Sequence, residues 1–120
     1  MHATKAYTAV AKETANPRDL ESQLLLKAAH KMQSVYDGWT DKPTGLDEAL
    51  LYNRRLWTVF LDSVCNDASA LPVPLRQNIA NIGVFVMSET FALMTDPKPS
   101  QLVPLIKINR ELAAGLRGNG

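Results

Sequence analysis

The residues able to do chemistry are few. The chain has one cysteine, Cys65, and two histidines, His2 and His30. A thiolate activated by histidine is a nucleophile, but no catalytic-cysteine signature surrounds Cys65. Neither histidine stands at metal-ligand spacing from Cys65 or from an acid. His2 lies near a chain end, and His30 reads as a surface or boundary residue. One cysteine closes no internal disulfide and builds no cysteine cluster for zinc, and it suits a reducing compartment. Cys65 therefore reads as a small hydrophobe near a helix end. The acids Glu13, Asp19 and Glu21 are dispersed, as on solvated helix faces. There is no glycine-rich phosphate loop and no nucleophile elbow. The aromatic residues lack the basic interleaving of an RNA stacking platform. The expectation is a non-enzymatic chain without metal or cofactor.

A chain of 120 residues, 46% hydrophobic and 21% charged, suits one domain with a core of its own. The formal net charge of +1, with basic residues interleaved among acids, argues against direct nucleic-acid binding. Residues 1–15 hold no apolar run of signal-peptide type. The most apolar window, Ile79 to Met94, carries Asn81, Ser88, Glu89 and Thr90 and is too short and polar to span a bilayer. A cytoplasmic protein with no membrane contact is expected.

Proline and glycine divide the chain. Asn16-Pro17 reads as a cap followed by a first-turn proline. Gly38, Pro43 and Gly45 mark one loop, Leu71 to Pro74 a second, and Asp96 to Pro99 a third. Between them apolar residues recur at three and four, the helical period. The spacing predicts helices near 3–14, 17–36, 46–65, 74–94 and 100–117. Thr44 with Asp47 resembles a capping box, and Ser100 is the expected cap of the last helix. Short connections favour antiparallel neighbours. The expected fold is all-α, a single-domain antiparallel bundle of about five helices over 1–117, with 118–120 as a flexible tail.

Two asparagines interrupt the apolar stripes. On a wheel of about 100° per residue, Leu46, Ala49, Leu50, Leu56, Trp57, Phe60 and Val64 fall within about 60° of Asn53. Arg54 takes the flank of that stripe, near Leu61 and Cys65, while Arg55 points away. In the last helix Leu102, Leu105, Ile106, Leu112, Ala113 and Leu116 gather round Asn109, and Arg110 takes the flank. LLYNRRL (50–56) and IKINREL (106–112) share an [LI]-x-x-N-R-x-L pattern, for which an internal repeat is one explanation. A buried amide without partners costs about 1–3 kcal/mol. The two asparagines are therefore expected to bond each other across a helix pair, or to hold a loop carbonyl, and so set the register of the bundle.

The 74–94 helix has two stripes. Leu75, Ile79, Ile82, Phe85, Val86 and Leu93 form one; Ala80, Val84, Met87, Phe91 and Met94 form the other. A helix apolar on two faces is central in its bundle or covers a partner. The central position is the expectation. Were the second stripe open, its methionines would make an adaptable surface, with Gly83 allowing close helix approach. Glu89 falls on the first stripe and is expected to be paired or at an edge, with Arg54 or Arg110 as candidate partner.

Four segments carry a resemblance over nearly the full length: TANPRDLE (14–21), NRRLWTVF (53–60), LPVPLRQNIANIGVFV (71–86) and LIKINRELAAGL (105–116). In this order and spacing they resemble the FlaF family of flagellar biosynthesis regulators of alphaproteobacteria. The loop from Asp37 to Gly45 is the least similar part. The resemblance implies a small cytoplasmic helical protein that promotes flagellin production or export, with flagellin as its partner and FlbT as a companion regulator acting on flagellin mRNA. It brings no active site. Val84, Met87, Phe91 and Met94 are the candidate partner surface, with Arg55 at its rim. Asn53, Arg54, Leu56, Trp57, Asn109 and Arg110 are motif positions that serve core or partner. The alternative is a post-transcriptional regulator acting through FlbT or directly on mRNA. A structural adaptor without flagellin contact is a third reading.

Overall fold

A computed structural model of the chain describes residues 17–66 and 71–118. Four α-helices occupy them: α1 (Pro17–Asp37), α2 (Leu46–Cys65), α3 (Val73–Thr95) and α4 (Leu102–Leu116), with a 3-10 turn at Pro99–Gln101 leading into α4. No strand occurs among the described residues. The helix expected over 3–14 lies outside them, so four helices are described rather than five.

The helix ends follow local chemistry. Gly45 adopts φ 82°, a left-handed conformation open to glycine, and its carbonyl accepts the Ala49 N–H at 3.0 Å. The cap position is thus Gly45, one residue after the expected Thr44, and no side chain caps the helix. Pro72 and Pro74 open α3, where missing N–H groups cost nothing. Asp96 N–H closes α3 on the Ala92 carbonyl at 2.8 Å, and Pro97 follows. Ser100 does not cap the last helix either. Pro99 starts a 3-10 turn in which Gln101 N–H reaches the Lys98 carbonyl at 3.1 Å, so the chain is already helical at Ser100.

Neighbouring helices run antiparallel. Ser22 near the start of α1 donates to the Ala113 carbonyl near the end of α4 at 2.8 Å. Lys31 of α1 meets Glu48 at the start of α2 at 3.5 Å, while Ser63 near its end donates to Glu21 at 3.5 Å. Packing is most extensive between α1 and α4, and α2 closes onto α1. One continuous core results, with Leu25, Met32, Leu50, Trp57, Phe60 and Leu105 fully enclosed.

The α3 helix is not central, contrary to the expectation from its two stripes. It leans on α2, barely touches α4, and buries only Ile79, Gly83, Val86, Thr90 and Leu93. The central places go to α1 and α2, with α4 packed along α1 and joined to α2 through Asn109. The second stripe of α3 is left outside, with Val84 72% and Phe91 70% exposed. Gly83 sets the distance between α3 and α2. A Cβ there would stand 2.7 Å from Leu61 Cδ1 and 2.8 Å from Cδ2. Close approach therefore occurs on the inner side of α3.

Gly83→Val should lower the free energy of unfolding by about 1–3 kcal/mol through overpacking. Adding Leu61→Ala should make the second loss smaller than the sum of the two single losses. Denaturant unfolding of the four proteins measures this, and strict additivity would contradict the close contact.

Candidate functional site

The two asparagines meet at the centre of the bundle. Asn109 Nδ2 donates to Asn53 Oδ1 at 2.7 Å and to the Leu25 carbonyl at 3.4 Å. Asn109 Oδ1 accepts the indole N–H of Trp57 at 3.0 Å. All three side chains are completely enclosed. The helical period puts Asn53 and Trp57, four apart, on one face of α2, and that face meets α4 at Asn109. Asn109 thereby ties α1, α2 and α4 together. Trp57 also meets Phe60 edge to face, with centroids 5.5 Å apart, which holds the indole in place. Asn53 Nδ2 has no hydrogen-bond partner among the described residues.

The NRRLW motif divides by direction. Asn53, Leu56 and Trp57 are buried, while Arg54 and Arg55 are exposed. Arg110 is exposed as well and reaches Gln33 at 3.3 Å. In both N-R pairs the amide builds the core and the guanidinium faces water. Arg110 lines an open groove of about 490 Å³ between α1 and α4, beside Tyr36, Val103 and Lys107. The spacing of the NR pattern places Arg110 on the surface but does not reveal this groove, which needs α1 to be laid alongside.

Several chemical expectations were tested by burial. Glu21 is not on a solvated face: it is 1% exposed, held by Arg18 one turn earlier and by the Ser63 hydroxyl. The i,i+3 pairing with Arg18 was the available signal. Glu89 is half-buried and forms no ion pair with Arg54 or Arg110 among the described residues. His30 is exposed, and Cys65 is exposed at the last residue of α2. His2 lies outside the described residues. Among the described residues no three His, Cys, Asp or Glu gather as a metal site. On the α1–α2 seam, Lys27 and Lys31 lie 5.7 and 5.1 Å from the centroid of the Tyr52 ring. Burial raises the Tyr52 phenol above its ordinary 10.0.

The remaining feature is the outer face of α3. Val84, Phe91 and Met94 are exposed and Met87 is half-buried between them. They lie together along one flank of a single helix, as the second stripe required. Arg55 stands on α2, turned by about 120° round that helix from Leu61, which meets α3. No helix among the described residues is long and apolar enough to cross a membrane.

The sequence model of a protein family described as "Flagellar protein FlaF" matches residues 3–116 of the chain. No curated protein and no solved structure matches it.

The buried amides are unequal, and mutation should show it. Asn109→Leu strands the Trp57 indole and the Asn53 oxygen, so a loss of about 3 kcal/mol or more is expected. Asn53→Leu leaves a single Asn109 N–H without its acceptor and should cost less, about 1–2 kcal/mol. Chemical denaturation reads both values, and equal losses would contradict the central role of Asn109.

Proposed function

The chain belongs to the FlaF family of flagellar proteins, and from that premise we propose that it acts in the cytoplasm as a non-enzymatic factor that binds flagellin and promotes its synthesis or secretion. The observation that carries the reading is the uncovered apolar flank of α3, with Val84, Phe91 and Met94 exposed by 72%, 70% and 55%. Exposed apolar side chains in contiguous rows mark sites of interaction. Met87 and Met94 supply flexible surface that accommodates a partner of imperfect fit. Helix-in-groove recognition suits an amphipathic segment of the bound protein. Arg55 joins the contact only for a partner broad enough to reach round α2.

The core of the bundle supports the same reading. The polar residues at its centre are engaged with one another, and their task is to hold helices in register. A regulator acting on flagellin mRNA directly would need a basic face, and a net charge of +1 offers little for one. Regulation through FlbT would use the protein surface and no RNA contact.

Purified chain and its flagellin, mixed at micromolar concentration, should elute as a stoichiometric complex whose mass is read by light scattering. Val84→Ser with Phe91→Ser should weaken that complex by roughly 10- to 100-fold, the worth of one or two buried apolar side chains. The melting temperature should move by less than about 4 °C, since neither side chain is in the core. Two separate peaks with the unmutated chain would instead favour regulation through FlbT.

A further inference from the structure

The outer flank of α3 is more regular than an apolar patch needs to be. From Val73 through Gln77, Ala80, Val84, Met87 and Phe91 to Met94, the steps are 4, 3, 4, 3, 4 and 3. That is a heptad seam sustained for three repeats. The inner face has the same rhythm. Ile79, Gly83, Val86, Thr90 and Leu93 follow at 4, 3, 4 and 3, and this inner seam is the one buried in the fold. From Ile79 on, each inner residue is followed directly by an outer one. A helix with two adjacent seams of this spacing is built to lie between two helices; α2 meets the inner seam at Gly83, and of the outer seam only Met87 is packed in part against the core.

We propose that the outer seam of α3 receives one amphipathic helix of a partner protein, packed as in a coiled coil over about three heptads. The proposal rests on the reading of α3 as the docking face and states what docks. The seam from Val73 to Met94 is about 32 Å long at 1.5 Å per residue. The helix expected over 3–14 of this chain would span about 18 Å, little more than half of it. A second copy would set Gln77 against a valine, alanine or methionine in antiparallel register, and Phe91 against another Phe91 in parallel register. A separate helix of suitable length avoids both mismatches.

The seam also describes its occupant. Its free flank carries Asn81, Ser88 and Thr95, all exposed and uncharged. Charge therefore contributes little to pairing, and selectivity comes from size steps and from one polar position. Ala80 leaves room for a large side chain, Phe91 calls for a small one, and Gln77 calls for a hydrogen-bonding residue opposite it. The partner helix is apolar at its own heptad positions with one polar interruption near the Gln77 end.

The test uses two probes on the full chain: intact flagellin, and a fluorescent three-heptad peptide with leucine at its seam positions and one asparagine facing Gln77. Phe91→Gln and Val84→Gln should each weaken binding by about tenfold or more, as anchors at the middle of an interface do. Phe85→Gln, exposed but off the seam, should change it by less than about twofold. Raising salt from about 50 to 500 mM should change affinity by less than about threefold, as expected without charged pairs. Peptide binding with this pattern but no flagellin binding would keep the seam and overturn flagellin as the partner. Flagellin bound equally by all three variants would keep flagellin and overturn the seam. Failure of both probes, or seam variants that only shift a monomer–dimer equilibrium of the chain, would overturn the proposal.

Discussion

The amide of Asn109 uses both of its N–H groups and its oxygen, and each goes to a different place. One N–H meets Asn53 and the other the Leu25 carbonyl, while the oxygen takes the Trp57 indole. At 0% exposure these groups are out of reach of bulk solvent, so any shift of α4 along α1 or α2 would break several hydrogen bonds at once. Apolar side chains tolerate small slips, because dispersion and burial are not directional. The hydrogen bonds do not, and they select one register of the three-helix core from those that the leucines alone would allow. The ends of that core are fastened similarly, by Ser22 to Ala113 and by Ser63 to Glu21.

With α1, α2 and α4 locked together, α3 is the element with freedom to serve elsewhere. It is held by one seam, fitted at Gly83 to Leu61, and it carries apolar side chains that no other described helix covers. The division is economical in physical terms. Residues that specify the fold are buried at 0% exposure in α2 and α4, and residues available to a partner sit on a helix at the edge. Changes on the outer flank of α3 can therefore alter binding with little effect on folding. The arginines of the two N-R pairs follow the same logic. The amide beside each one turns inward, so the guanidinium is directed to the surface, where that of Arg110 meets Gln33.

Much of this was legible beforehand wherever a single helix decided the answer. Every residue placed on the stripe of α2 around Asn53 is buried, because the angle between residues on a helix is set by backbone geometry alone. The cost of an unpaired amide called for partners, either each other or a carbonyl, and Asn109 takes both Asn53 and the Leu25 carbonyl. The expected caps failed for local reasons of another kind. Gly45 accepts a left-handed backbone that Thr44 would resist, and Pro99 begins a helical turn before Ser100 can cap one. Glu21 misled because a charged residue is usually solvated; Arg18 one turn earlier was a visible partner, but the Ser63 hydroxyl arrives only when α1 and α2 are side by side.

The amino-acid sequence by itself determined the all-helical class, the positions of the helices from 17 onward, the face that α2 buries and two asparagines in need of partners, but not the buried face of α3, where Leu75 and Phe85 of the first stripe stand exposed. Each of these depends on spacing along the chain or on the worth of one buried group. Only the tertiary structure decided which helix stands at the edge, that Arg110 opens onto a groove with Tyr36, and that the second stripe of α3 stays in water. A stripe of apolar side chains has the same pattern whether a helix of its own chain or a foreign one covers it. The choice is made by competition for the face of α2 and for each other among α1, α3 and α4, and that competition has no signature in any one segment.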